Sequence, residues 1–218
     1  MKSNWELTKA RSQYHFDTER WNPKWDRVEH LGHIRPSWTE ELQAAIDAAQ
    51  PVTWRTRGRP GDARARSSEE HDREEYDLER YGMAKDYTVS NMTYDVAPVF
   101  QAIADQFALT DTMVRIHVQH PGQVWTLHLD KLEKWMPEDP TQVVRYFVQL
   151  TDWQPGHFWS YGNYQWSRWL AGNVTTFDWI NVPHATANAG HVPRATLQIT
   201  GIKTPATDDF LNNLKEPK

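Results

Sequence analysis

The sequence predicts a mainly β protein with flanking helices, in which a sheet is rolled on itself as a sandwich or barrel. The first observation is a run of period-two segments in the second half, at 114–119, 124–130, 143–151, 157–161, 174–179 and 193–200, where alternation reads as half-buried strands. The second is the punctuation between them, by Pro-Gly, Gln-Pro-Gly, Gly-Asn and Ala-Gly turns. The third is that apolar residues in the first half recur at helical spacing instead. Six or more short strands spaced in this way suit a sandwich or barrel, and 218 residues lie within the range of one such domain. The expectation is a single domain over 1–218. Residues 1–110 would supply an N-terminal arm, a charged loop and buttressing helices, and residues 111–203 the β core.

Taken in order, residues 1–36 are polar, carry tryptophans at 5, 21 and 25, and show no clean period; they read as an irregular arm. Ser37-Trp38-Thr39-Glu40 matches a capping box, and Leu42, Ala45, Ile46 and Ala49 then recur at helical spacing up to Pro51. Residues 55–82 carry arginines at 55, 57, 59, 64, 66, 73 and 80, followed by Glu69, Glu70, Asp72, Glu74 and Glu75 within the same stretch. Such charge density buries little apolar surface. With the turn chemistry of Gly58-Arg59-Pro60-Gly61, it is expected to form a mobile lid or substrate-contacting segment at the barrel mouth, against the plainer reading of a solvated linker. Asp95 to Leu109 predicts a second helix, with Val96, Val99, Phe100, Ile103, Ala104 and Phe107 as its stripe and Pro98 in its first turn.

Composition narrows the function. A net charge of −5 favours no nonspecific nucleic-acid binding, and the absence of cysteine excludes disulfides, thiolate zinc sites and cysteine nucleophiles. Any metal must be held by histidines and carboxylates. No apolar run approaches the ~20 residues that span a bilayer, and the first residues lack the pattern of a signal peptide. The expectation is a soluble, cytoplasmic protein whose partner is a small-molecule or peptide substrate, with no membrane and no nucleic acid.

The chemistry concentrates in Thr126-Leu127-His128-Leu129-Asp130 and in the stretch from Val182-Pro183-His184 to Arg194. His128 and Asp130 are two apart, so on a strand both project to one face and an imidazole nitrogen and a carboxylate oxygen can meet one ion. Alone, such a pair arises often by chance in a chain with ten histidines. A second nitrogen from His184, on a neighbouring wall, completes the two-histidine, one-carboxylate face that holds Fe(II) with its opposite positions open. Ten positions beyond His184, Arg194 opens an alternating segment that sets Arg194, Thr196 and Gln198 on one face. A strand arginine is commonly a surface ion-pair partner, whereas a buried one here would seek a carboxylate, with Thr196 adding a hydrogen bond.

His-x-Asp, a distal His and an Arg ten positions later resemble the Fe(II)/2-oxoglutarate-dependent oxygenase superfamily over about Val114 to Gly201. Within it, Pro121-Gly122-Gln123, Arg145, and His184-Ala-Thr-Ala-Asn188-Ala-Gly190 ahead of Arg194 are most similar to the aspartyl/asparaginyl β-hydroxylase and proline cis-hydroxylase group. That group commonly has Arg-x-His where this chain reads Arg145-Tyr146-Phe147. Asp130 supplies the carboxylate that membrane-tethered aspartyl hydroxylases lack, so the soluble, amino-acid-hydroxylating branch is the nearer analogue. The resemblance implies a double-stranded β-helix (jelly-roll, cupin-like), Fe(II) on His128, Asp130 and His184, and 2-oxoglutarate and O2 as cosubstrates. Arg194 and Thr196 would hold the distal carboxylate, with Arg145 reaching a carboxylate of cosubstrate or substrate. The activity implied is hydroxylation of a C–H bond of an amino acid, peptide or other small substrate. Two competitors share the rolled sheet. A cupin-type metalloenzyme not using 2-oxoglutarate needs no Arg194. A noncatalytic Trp-rich binding module would use some of the twelve tryptophans, although Trp153, Trp159, Trp166, Trp169 and Trp179 read first as packing. His117, His120, His157 and His191 are expected to support the site or lie on the surface, His157 being the one expected to line the pocket.

Overall fold

The computed structural model describes residues 28–62, 84 and 86–214. Among these the chain forms β1 (Glu29–His33), α1 (Thr39–Ala48), β2 (Gln50–Val52), β3 (Ser90–Thr93), α2 (Pro98–Asp105), β4 (Thr110–Gln119) and β5 (Val124–His128). There follow β6 (Val143–Gln149), β7 (His157–Tyr161), β8 (Tyr164–Trp166), β9 (Asn173–Thr176), β10 (His184–Asn188), β11 (Arg194–Ile202) and α3 (Pro205–Leu214). The larger sheet runs β1-β9-β6-β11-β4-β3-β2 and the smaller β5-β10-β7-β8. From β4 onward the chain alternates between the sheets: β4, β6, β9 and β11 fall in the larger, and β5, the β7-β8 hairpin and β10 in the smaller. That alternation, with antiparallel pairing throughout, is the double-stranded β-helix.

Period-two patterning assigns the two faces of the larger sheet. Val114, Ile116 and Val118 of β4, Tyr146 and Val148 of β6, and Ala195, Leu197 and Ile199 of β11 point outward and pack with Trp38, Ile46, Phe100, Ile103, Phe107 and Leu211. The three helices therefore cover the outside of the sheet. The alternate residues point inward, and they are polar: Arg115, His117 and Gln119 on β4, Arg145 and Gln149 on β6, and Arg194, Thr196, Gln198 and Thr200 on β11, all buried. A second apolar cluster, containing Phe147, Trp159, Tyr161, Trp166, Trp169 and Trp179, joins the smaller sheet to this interior. The C-terminal tryptophans thus pack as expected, with Trp153 partly buried at the margin.

Several local expectations are revised. The Ser37 capping box does not form: Trp38 occupies the N-cap position without a side-chain cap. Its indole is buried and donates to the Leu150 carbonyl at 3.1 Å, so packing of a large ring decides where the helix starts. α2 is shorter than 95–109 and begins with Pro98 in its first turn. β5 ends at His128 rather than 130, β9 ends at Thr176 rather than 179, and 184–188 is a strand that alternation did not mark. The first 110 residues contribute β1, β2 and β3 to the larger sheet besides the two helices. The arm expected over 1–27 and the charged stretch over 63–82 lie outside the described residues.

One end of the barrel is closed by two interlocked turns. Gly156 has φ +94°, and a Cβ on it would lie 2.4 Å from Gly190 N, while Ala189 N donates to the Gly156 carbonyl at 2.8 Å. Gly156→Ala should therefore combine a left-handed backbone penalty with a backbone clash and destabilise the fold by about 2 kcal/mol or more. Urea unfolding checks this: an unchanged midpoint would show that the turns separate freely.

Candidate metal centre

His128, the last residue of β5, and His184, the first of β10, are direct Cα partners across the ladder. Their ring centroids lie 4.3 Å apart. Beyond the end of β5, Leu129 buries its side chain completely, and the chain brings Asp130 back to the same place. Asp130 Oδ1 is 3.8 Å from His128 Nε2 and Oδ2 is 4.0 Å from His184 Nε2. The three ligand atoms all lie within 4.8 Å of one another. Donors that share an ion at ~2.1 Å are separated by roughly 3 Å when at right angles and 4.2 Å when opposed, so small side-chain rotations suffice.

The orientation of each donor has a cause. His128 Nδ1 donates to the Thr126 carbonyl at 2.6 Å, which fixes the tautomer and leaves the Nε2 lone pair for the cluster. Its ring is bordered by Trp54 and Trp125 at 5.7 and 5.8 Å. His184 sits against Phe177 at 4.6 Å and Tyr161 at 6.2 Å. Burial lowers the pKa of His184, with Asp130 opposing and Arg145 adding to the shift, so the imidazole is kept neutral, the form that ligates. Arg145 Nη1 donates to Asp130 Oδ2 at 2.7 Å, and its Nε donates to Thr200 Oγ1 at 2.9 Å. Burial alone would raise the Asp130 pKa, but Arg145, then His184 and His128, outweigh it and hold the carboxyl well below its usual range. Two imidazole nitrogens and an ionised carboxylate, with no sulfur, are a donor set for Fe(II) or a similar divalent ion.

Arg194 opens β11 deeper in the barrel and is 1% exposed. Its guanidinium lies 4.6 Å over Trp159 and 6.0 Å from Trp169, and Nη2 donates to Gln119 Oε1 at 2.5 Å. Nε and Nη1 have no hydrogen-bond partner among the described residues. Burial pushes its pKa down to about 9, against an opposing effect of Tyr161, which leaves it charged at neutral pH. Thr196 is fully buried and donates to Gln149 Oε1 at 3.1 Å.

Of the other histidines, His157 does not line the pocket. Its ring stacks on Trp169 at 6.2 Å, Nδ1 accepts from Gln154 N, and Nε2 is 3.2 Å from the Val192 carbonyl; its turn-side position at the start of β7 gives it these backbone partners instead. His117 takes the interior place. It stands edge-on to Trp125 at 5.3 Å, and its Nε2 has no partner among the described residues. Burial, then the charges of Arg194, Arg115 and Arg145, hold it neutral. The signal for it was present in the alternation of β4, in phase with Arg115 and Gln119. His120 is half-buried and His191 exposed.

Two spaces adjoin the triad. An inner one of about 30 Å³ is bounded by His117, His128, Asp130, Trp159 and His184, large enough for an ion or a water molecule or two. An open cleft of about 400 Å³ runs outward from His128, Asp130 and Arg145, past Trp125, Tyr94 and Trp135, to residues 55–62. The described part of the charged stretch thus does stand at the mouth.

No protein-family profile matches the sequence, and no curated protein matches it. Among solved structures the chain is similar to a prolyl-4-hydroxylase from Pseudomonas putida, at 18% identity and TM-score 0.41, over 60% of this chain and 83% of that one. It is also similar to the viral collagen prolyl hydroxylase of Paramecium bursaria Chlorella virus-1, at 13% identity and TM-score 0.41, over 63% and 92%. A Cupin 2 conserved barrel domain protein from Salinispora arenicola CNS-205 matches at 10% identity and TM-score 0.34, over 57% and 84%. Among the described residues no helix is long and apolar enough to cross a membrane.

Removal of a ligand tests the centre directly. His184→Ala should lower the affinity for Fe(II) or Mn(II), titrated anaerobically, by more than the ~10–100-fold that loss of a supporting hydrogen bond costs. Its circular dichroism should be unchanged. Affinity equal to wild type would place the metal elsewhere.

Proposed function

We propose that this chain is an Fe(II)/2-oxoglutarate-dependent dioxygenase that hydroxylates a C–H bond of an amino acid, peptide or other small substrate. The observation that carries the reading is a pairing within one barrel: a two-nitrogen, one-carboxylate cluster facing a cleft, and a buried arginine, Arg194, with two nitrogens unspent. A metalloenzyme of the same fold without an acidic cosubstrate has no use for that second, costly cation.

In this reading His128 Nε2, His184 Nε2 and one oxygen of Asp130 hold the iron. With 2-oxoglutarate and O2 bound, the iron supplies the oxidising power that places a hydroxyl on the substrate, with succinate and carbon dioxide as the other products. The side chains of the barrel orient and shield. Arg145 keeps Oδ2 of Asp130 occupied, which would leave Oδ1 as the oxygen available to hold the ion. Gln119 orients the guanidinium of Arg194, and Trp159 and Trp169 wall it from water, which strengthens a charge-assisted bond to the distal carboxylate of 2-oxoglutarate. Thr196 and Gln149 form the adjacent polar pair, from which Gln149 Nε2 remains to donate.

The test is succinate formation from 2-oxoglutarate by the Fe(II)-loaded chain, screened across free amino acids and peptides. Arg194→Met should weaken 2-oxoglutarate binding by about one to two orders of magnitude, the equivalent of roughly 1.5–3 kcal/mol for a charge-assisted hydrogen bond, while Fe(II) affinity stays within error. Metal binding without any 2-oxoglutarate consumption would instead support a cupin-type metalloenzyme, and absence of metal binding a Trp-rich binding module.

A further inference from the structure

Arg115, on β4, is buried at 9% exposure and borders both the inner space and the open cleft. Its Nε donates to Gln198 Oε1 at 2.7 Å, and its Nη1 to Tyr94 Oη at 3.2 Å and, at 3.4 Å, to the Arg57 carbonyl. All three acceptors are neutral. Tyr94 Oη itself donates to the Arg57 carbonyl at 2.8 Å, so its lone pair is turned toward Arg115. Among the described residues no carboxylate pairs with Arg115; Asp130, which shares its cavity, is held by Arg145 at 2.7 Å. A buried guanidinium that is held in place by neutral groups but has no counter-ion is oriented for an anion that arrives from outside.

We propose that the cleft binds a carboxylic acid with an apolar or aromatic body, and that Arg115 is the residue that selects it. This rests on the reading above in taking the cleft beside the triad as the substrate site. The body is defined by the walls: Tyr94, Met113, Trp125, Leu132 and Trp135 line a volume of about 400 Å³, within the range of small-molecule sites. The charge is defined by the balance of the described wall: Arg55, Arg57, Arg59, Arg115, Lys131 and Arg145 stand against Asp62 and Asp130, and Asp130 is held by Arg145. That excess of cations among the described residues favours a plain acid over a free α-amino acid.

The experiment is calorimetric titration of the metal-free full chain, so that no probe can ligate an ion, with 3-phenylpropionate, 3-phenylpropionamide and L-phenylalanine. The acid should bind at least about tenfold more tightly than the amide and the amino acid, and Arg115→Gln should remove about ten- to a hundredfold of the acid's affinity. Arg115→Lys, which keeps the charge and loses the fork, should fall between. Equal binding of acid and amide by wild type overturns the proposal without any variant, as does a folded Arg115→Gln protein that binds the acid like wild type. Loss of the acid preference in Arg194→Met would also overturn it, by showing that the probe sits on the deeper arginine. A wild-type chain that consumes no 2-oxoglutarate yet keeps the Arg115-dependent acid preference would sink the oxygenase reading and leave the acid site standing.

Discussion

Two imidazoles share an ion only when the strands that carry them meet in one register, and the pairing of β10 with β5 is therefore the constraint on which the site depends. His184 lies directly opposite His128; a slip of one residue would send His184 to the outer face and replace it with Pro183 or Ala185. The opposite edge of β10 holds the register, since all five of its residues pair with β7. Its far end is fixed as well. Asn188 is buried, donates to the carbonyls of Gln119 and Val192, and accepts from Gly190 N. The contact of Gly156 with Gly190 then ties that end to the turn before β7. The His128–Asp130–His184 cluster is thus positioned by backbone ladders on one side and by a tightly packed corner on the other.

A barrel built for stability alone would fill its interior with aliphatic residues, as the outer face of the larger sheet does with Val114, Ile116, Val148, Leu197 and Ile199. Here the inner face of the same strands carries three arginines, a histidine, three glutamines and two threonines, all buried. Among the described residues only Arg145 of the three finds a carboxylate, in Asp130. The stacking of Arg194 on Trp159 recovers about 2 kcal/mol by cation–π attraction at a desolvated site, less than the several kcal/mol that burying an unpaired ion costs. Among the described residues His117 Nε2, Gln149 Nε2 and two nitrogens of Arg194 on these strands likewise lack partners, the pattern expected of a surface shaped for ligands.

The parts of this design that could be read in the sequence are those in which one residue type repeats at a fixed step. Strands β4, β6, β7 and β11 alternate cleanly, and the phase of β11 already separates Arg194, Thr196 and Gln198 from Leu197 and Ile199. His128 and Asp130 stood out through their spacing. β10 did not, because His-Ala-Thr-Ala-Asn has no large apolar side chain to mark a buried face; there the ladder on both edges supplies the stability. The role of Trp38 was hidden for a related reason, since a capping signal is local and the burial of an indole against Leu150 is not. His117 and His157 look alike in sequence. What separates them is that β4 is central in the larger sheet and faces inward at 117, whereas His157 begins its strand beside a turn whose backbone groups claim both ring nitrogens.

The register of the larger sheet also bears on how many acids the interior can serve. Across β4, β11 and β6 the polar residues form rungs: Gln119 with Arg194, His117 with Thr196 and Gln149, Arg115 with Gln198, and Arg145 with Thr200. Successive rungs are two residues apart, so the Cα atoms of Arg194 and Arg115 are about 13 Å apart along the strands, from a rise of ~3.3 Å per residue. Arg194 is committed to Gln119 and the Trp159–Trp169 wall, and Arg115 to Gln198 and Tyr94. Under the proposed function, two cations anchored four residues apart, Arg194 beside Gln119 and Arg115 beside the His128–Asp130–His184 cluster, suit two acids that arrive separately.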